Sequence, residues 1–369
     1  MHLLTRAAVC LALLSCACTS DGGSGADPRP TSNRDLGAAV ATAVDDQRTA
    51  AARDLAEVQS VVVVHDGTTV YEDYFGTTPE TYQEIASVTK SFMSTLIGIA
   101  VDRGEISGVD ATLGELLPDH RDVMTPAVAG TTLEQVLTMT GGFAGEFDDE
   151  DGEEWIGAAD PLEVILTTPA RPPGERFAYS NGGVHLLGAV LEQATGTTVL
   201  DYARRVLFDP LGIDTRPAAQ PVAAPENLDE YAAADFAWPT DPTGLVVGSG
   251  ALKLRPRDLA KLGQLYLDNG SWHGDQVVPR QWVADATTAQ VDSAGLGLDT
   301  AYGYLWWVSE IGGDPAYVAY GYGGQAIRVI PDRDLVIVVS TAIPELDSKG
   351  APYFAVLFLM DEVIAPLFE

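Results

Sequence analysis

Strand-forming runs stand at both ends of this chain with helical periodicity between them, and that order constrains the fold more than any other feature. Residues 61–64 are four consecutive valines, and Thr69-Val70-Tyr71 follows across His65-Asp66-Gly67. β-Branched runs around an Asp-Gly turn predict a hairpin. After Gly303 the period is strand-like again, over residues 304–308, 317–320, 326–330 and 335–340. Between these ends the apolar spacing predicts helices at residues 133–139, 184–195, 199–207, 257–267 and 280–287, with Gly and Pro punctuation. Further helices are expected at residues 35–58, from Ser87 to residue 102, and at 351–368. The expectation is an α/β (α+β) fold: one mostly antiparallel sheet assembled from N- and C-terminal segments, flanked by helices, with a helical domain inserted. The sheet parts fall at about residues 34–95 and 290–369 and the insertion at about 96–289. A site is expected at the seam, where ligand pockets preferentially form.

At 369 residues the chain has room for one large domain or two interleaved ones. With 21 basic against 53 acidic residues it repels phosphate backbones, so no nucleic-acid partner is expected. All three cysteines, Cys10, Cys16 and Cys18, lie in a leader where Arg6 precedes an apolar run. That is the order of a signal peptide, here residues 1–18. Leu13-Leu14-Ser15-Cys16 resembles a bacterial lipobox, which makes Cys16 the expected lipidation site and Cys18 the second choice. The protein is therefore expected outside the cytoplasm, secreted or lipid-anchored at the outer face of the cytoplasmic membrane. Residues 19–33, rich in Gly, Ser, Pro and Asp, read as a flexible linker. The folded part, residues 34–369, holds no cysteine, which excludes disulfides, thiolate metal sites and cysteine nucleophiles.

Ser87-Val88-Thr89-Lys90 opens an apolar helix, flanked by Ile85-Ala86 and Phe92-Met93. Three residues apart on a helix, the hydroxyl and the amine share one face and can share a proton. A serine needs such a neighbour to become a useful nucleophile. For Lys90 to act as base its amine must be neutral, which burial favours. Farther on, Tyr179-Ser180-Asn181 precedes a helix; a phenol beside an amine can relay a proton, and an amide can fix both. Third, Tyr320-Gly321-Tyr322-Gly323-Gly324-Gln325 runs directly into a strand. Glycines at a strand edge let a substrate approach the backbone, whose amides can donate to an oxyanion.

In this order and local structure the three motifs resemble the serine β-lactamase and penicillin-binding protein superfamily, specifically its class C-like branch. Supporting stretches include Thr132-Leu133-Glu134-Gln135, Pro173-Gly174-Glu175-Arg176-Phe177 and Pro256-Arg257-Asp258-Leu259-Ala260. The resemblance implies a β-lactamase/transpeptidase-like fold. It casts Ser87 as nucleophile, Lys90 and Tyr179 as the proton-exchanging pair, and Asn181 as a contact to the substrate amide or to Lys90. Tyr322, Gly323, Gly324 and Gln325 become substrate-binding, with oxyanion amides at Ser87 and Gln325. Tyr322 stands where the family carries Lys or His, and a phenol cannot supply the positive charge that meets a substrate carboxylate. The acidic stretch 146–154 would repel that carboxylate as well. The implied reaction is ester, amide or D-Ala-D-Ala-type peptide cleavage of a small-molecule or peptide acyl donor, with no cofactor and no metal. The competing expectation is a sensor or scaffold that acylates without turnover.

Other patterns carry less. The acidic stretch lacks the spacing of a calcium loop, because Phe147 occupies the first ligand position. His120-Arg121-Asp122 has no accompanying phosphate loop, and no Gly-x-Ser-x-Gly elbow is present. His65 and His185 read as structural, and Tyr304, Trp306 and Trp307 as a core cluster.

Overall fold

The computed structural model describes residues 32–51, 55–145, 155–168, 171–293, 301–343 and 353–369. The leader with Cys16, nearly all of the linker and the acidic stretch 146–154 lie outside the described residues.

The two ends of the chain meet in one sheet. Its strands are β1 (Val58–His65), β2 (Thr68–Tyr74), β3 (Val291–Asp292), β4 (Ala301–Tyr302), β5 (Trp307–Ile311), β6 (Asp314–Gly321), β7 (Gln325–Ile330) and β8 (Leu335–Thr341). They are antiparallel in the spatial order β2-β1-β8-β7-β6-β5-β4-β3. The Asp66-Gly67 turn closes the first hairpin with both residues at positive φ, 49° and 66°, as an Asp-Gly turn prefers. The joint is β1 on β8, where Val61 faces Val339 and Val63 faces Ile337. Residues 61–64 are at most 7% exposed, and a fully buried valine contributes about 1.5–3 kcal/mol relative to an exposed one.

The helices include α1 (Asn33–Ala50), α2 (Thr89–Asp102), α3 (Asn181–Thr195), α4 (Pro256–Leu267) and α5 (Tyr353–Phe358). Neighbouring residues of β7 face opposite sides of the sheet. Ile327 lies under α4, where a Cβ on Gly263 would come within 2.9 Å of it and 2.4 Å of Val336. Arg328 on the other side is fully buried and pairs bidentately with Asp361, just beyond α5. In α2 every residue from Thr89 to Ala100 is buried. A helix covered all round sits in the interior, and this one carries Lys90 there.

Four expectations are corrected. The first helix ends at Ala50, and Val58 already belongs to β1. Tyr304 to Trp306 do not form strand: Leu305 has φ 61° and donates to the Leu137 carbonyl, so β5 starts at Trp307. The helix expected over residues 199–207 changes after Ala203 to a wider π turn, Arg204–Phe208. The C-terminal helix likewise passes from α to a π turn at Leu359–Ile364 and a 3-10 turn at Ala365–Phe368, where Pro366 supplies no amide donor. Among the described residues no helix is long and apolar enough to cross a membrane.

Candidate active site

The Ser87 turn is held from both sides. Ile85 donates its amide to the Leu252 carbonyl at 2.9 Å, and the Leu252 amide donates to Thr89 Oγ1 at 3.4 Å. Thr89 Oγ1 in turn donates to the Ala86 carbonyl at 2.7 Å. Ala86 sits at φ 44°, a left-handed conformation that costs a non-glycine residue about 1–3 kcal/mol. The strain lies immediately before Ser87, at the kink between the short strand Gln83–Glu84 and α2.

Lys90 is 1% exposed, and its Nζ lies 2.9 Å from Ser87 Oγ, 2.7 Å from Asn181 Oδ1 and 2.6 Å from the Ser249 carbonyl oxygen. Two of these partners can only accept, because an amide oxygen and a carbonyl have no proton to give. A neutral amine has two N–H groups and one lone pair. With the N–H groups directed at Asn181 and Ser249, the lone pair can accept from the Ser87 hydroxyl. When protonated, the same nitrogen donates to all three. The site therefore accommodates Lys90 before and after it takes a proton from Ser87.

Tyr179 closes the group. Lys90 Nζ lies 4.9 Å from the centre of its ring, which stacks on Trp307 at 5.7 Å and 16°. The stretch at residues 132–142 supports it from behind: Met139, at φ 59°, accepts the Ala178 amide at its carbonyl, 2.8 Å away. Ser180 caps α3 by accepting the Gly183 amide at 3.1 Å, which puts Asn181 in the first turn. Tyr302, under the Tyr179 ring edge, has its phenol pushed well above the ordinary range by burial first and by Tyr179 second, so it stays neutral.

Ser87, Lys90, Tyr179 and Asn181 are thus brought together. The glycine-rich segment divides. A Cβ on Gly321 would lie 2.7 Å from the Ile85 carbonyl oxygen, 3.0 Å from the Ser87 nitrogen and 3.1 Å from Ala86 Cβ, so Gly321 is the glycine that abuts the Ser87 turn. Residues 322–324 then reverse the chain, and Gly324 and Gln325 belong to the returning side. Gly324 faces Val356 and Thr341, and the fully buried Gln325 side chain bonds the Thr341 main chain and hydroxyl. The Gly323 carbonyl accepts from Thr341 Oγ1 at 2.7 Å. Gly324 and Gln325 therefore build the hairpin rather than a substrate surface, which corrects the expectation for both.

The ladder orients the neighbouring amides. Gly312-Gly313 is a two-residue turn, so Ile311 and Asp314 form the bonded pair beside it, and every second residue of β6 points its N–H and C=O towards β5. β5 begins at Trp307, opposite Val318. Tyr320 points the same way beyond that end, whereas Gly321 pairs with Gln325, so the Tyr322 N–H, across the peptide from the Gly321 carbonyl, points away from β7. With Gly321 as the glycine against the nucleophile, the position two before it, where a Lys-Thr-Gly motif carries its cation, is Ala319.

Two contributors were not anticipated. The Ser249 carbonyl is main chain and has no side-chain signature, although Gly248 and Gly250 on either side mark a close backbone approach. Gly321 lies inside the quoted motif but was not singled out. Of the aromatic residues, Trp306 is core, packed at 4.5 Å on Tyr266, whereas Trp307 backs Tyr179. Among the described residues no group of His, Cys, Asp and Glu could hold a metal ion.

The chain is similar to known proteins. The family model described as Beta-lactamase matches residues 37–358. Penicillin-binding protein 4 of Amycolatopsis lactamdurans is 27% identical over 328 residues, covering 83% of this chain and 80% of that protein. The 6-aminohexanoate-dimer hydrolase of Paenarthrobacter ureafaciens is 23% identical over 312 residues, covering 77% and 72%. The solved class C β-lactamase from Rhodobacter sphaeroides superposes with a TM-score of 0.63 at 18% identity, over 88% of this chain and 100% of that one.

Proposed function

Because the chain belongs to the beta-lactamase family of acyl-transferring serine hydrolases, we propose that it cleaves an ester or amide bond through an acyl-Ser87 intermediate, as an esterase, amidase or peptidase-like enzyme rather than a β-lactamase. The observation that carries the proposal is the buried Lys90, whose Nζ lies 2.9 Å from Ser87 Oγ beside two pure acceptors.

In this reading Lys90 takes the Ser87 proton as Oγ attacks the acyl carbonyl. The oxyanion is met by the Ser87 and Tyr322 amides, donors of the type whose loss costs other enzymes about 10²–10³ in rate. Collapse of the tetrahedral intermediate breaks the bond to the leaving group, which receives its proton from Lys90 through Tyr179. Water then repeats the sequence on the acyl-enzyme, giving up a proton to the same pair and restoring Ser87. Positions Ala319 and Tyr322 both lack a cation, and a substrate carboxylate therefore finds no partner of the Lys-Thr-Gly kind. One relative is named for hydrolysing a substrate other than a β-lactam, which is consistent with that preference. The same proposal keeps the enzyme outside the cytoplasm, anchored through Cys16, on the strength of the leader pattern.

The test is a comparison of kcat/KM for short-chain p-nitrophenyl esters, amino-acid amides and penicillin. Esters or amides are expected to exceed penicillin. Faster penicillin hydrolysis would overturn the substrate assignment, and a stable adduct with every donor would convert the enzyme into a sensor.

A further inference from the structure

Lys90 is held by two acceptors from different parts of the chain, Asn181 at the start of α3 and Ser249 at the end of a separate hairpin. That hairpin runs from Trp238 to Val247: Val247 donates its amide to Pro239, and Trp238 Nε1 donates to the Val247 carbonyl at 3.1 Å. Asp241 organises its tip, with Oδ1 accepting from the Thr243 amide at 2.8 Å, the Thr243 hydroxyl at 2.7 Å and the Leu245 amide at 3.1 Å. The other oxygen, Oδ2, lies 3.1 Å from His185 Nε2. His185 is fully buried and one turn beyond Asn181 on the same face of α3. The hairpin's return limb then crosses α3 closely, since a Cβ on Gly248 would stand 3.3 Å from the Val184 carbonyl oxygen, and the next residue is Ser249.

We propose that His185 and Asp241 are positioning residues for the Ser87–Lys90 pair, their buried bond fixing the helix that carries Asn181 against the hairpin that carries the Ser249 carbonyl. The inference rests on the serine hydrolase reading above. It assigns a buried histidine that the chemistry itself does not use. A structural histidine needs only to fill space, but this one directs Nε2 at a carboxylate in the interior while its Nδ1 has no hydrogen-bond partner. A buried polar atom left unmade is a cost that a phenyl ring in the same place would avoid. The ring also stacks on Trp155 at 5.0 Å and 21°, so its plane is fixed from the second side. Trp155 itself covers the first turn of α3, where a Cβ on Gly182 would reach 3.2 Å from its Nε1.

The test compares wild type with His185→Phe, His185→Gln and Asp241→Asn in the full chain. The rate of fluorophosphonate labelling is followed against pH, and the thermal midpoint is measured in parallel. His185→Phe keeps a ring on Trp155 but deletes the donor, and labelling is expected to fall about tenfold or more, as misplacement of catalytic groups does. Loosening the acceptors around Lys90 destabilises its charged form. The acid limb of the labelling profile is then expected to move to lower pH. His185→Gln restores an Nε donor and should recover most of the rate and the wild-type limb, while Asp241→Asn should lose rate in the same direction as His185→Phe. A folded His185→Phe with wild-type rate and limb would overturn the proposal, as would a His185→Gln that falls equally far. If His185→Phe does not fold, an Asp241→Asn indistinguishable from wild type overturns it instead. An unlabelled wild type would remove the serine hydrolase reading and this inference together, a result separable from the others.

Discussion

Gly321→Ala isolates the contact between the sheet and the nucleophile. Gly321 has φ −134° and ψ 160°, ordinary extended backbone that alanine adopts without strain, so the whole effect of the substitution is the added methyl group. That methyl would stand 2.7 Å from the Ile85 carbonyl oxygen and 3.0 Å from the Ser87 nitrogen. Ordinary carbon–oxygen contact lies near ~3.3 Å, so strand and turn must separate by roughly half an ångström. Overpacking of this kind costs about 1–3 kcal/mol of stability. The larger effect is on rate, because the turn that moves carries Ser87 and the strand that moves carries the Tyr322 amide. A shift approaching an ångström costs about 10²-fold in a well-positioned site, and half of that predicts a loss of about tenfold or more in labelling rate. Gly323→Ala is the control. Gly323 has φ 82°, so alanine there is strained by about 1–2 kcal/mol, but the residue lies in the hairpin turn that bonds Thr341. The expected result is a loss of fluorophosphonate labelling for Gly321→Ala that Gly323→Ala does not show, with losses of melting temperature of similar size in the two variants. Equal labelling of Gly321→Ala and wild type would refute the placing of this strand beside Ser87.

Further outcomes follow from the same geometry. Lys90→Met should lower labelling by about 10²–10⁴-fold, the usual contribution of a general base, while the protein stays folded because a buried amine is replaced by an apolar chain of similar length. Asn181→Ala removes one charge-assisted bond from Lys90, about 1.5–3 kcal/mol, and should cost about tenfold or more in kcat/KM of an ester substrate. Burial would raise the Asp241 carboxyl, but its bonds to His185 and Thr243 more than reverse this and hold it below the usual range. A carboxyl whose folded pKa lies below its unfolded value of about 3.9 stabilises the fold above that pH and loses the contribution as pH falls through the folded value. Urea melts from neutral to acidic pH should therefore show Asp241→Asn destabilised relative to wild type at neutral pH, with the gap narrowing below about pH 4.

How much of this was legible in the sequence depended on whether a feature lives in side chains or in the path of the backbone. The valine run and its Asp-Gly turn announced the first hairpin, and the Ser87–Lys90 spacing announced a shared helix face. Both are local. The pairing of β1 with β8 was legible only as the need of two separate strand sets for one sheet. Residues 304–306 misled because aromatic side chains suit a strand, whereas the Leu305 bond to Leu137 overrides that propensity. The glycine against the Ser87 turn was not legible because Gly321, Gly323 and Gly324 look alike in sequence. Only the hairpin register separates the glycine against Ser87 from the two in and beyond the turn. The Ser249 carbonyl carries no side-chain signal, since any residue there presents the same atom.

The central claim is that Ser87, activated by Lys90, carries the acyl group. Intact-mass analysis of the protein during turnover of a p-nitrophenyl ester, in wild type and Ser87→Ala, tests it most directly. One acyl group per chain, mapped to Ser87, decaying as product forms and absent from Ser87→Ala, is the predicted result. An adduct that persists in Ser87→Ala, or ester turnover unchanged by that substitution, would contradict it.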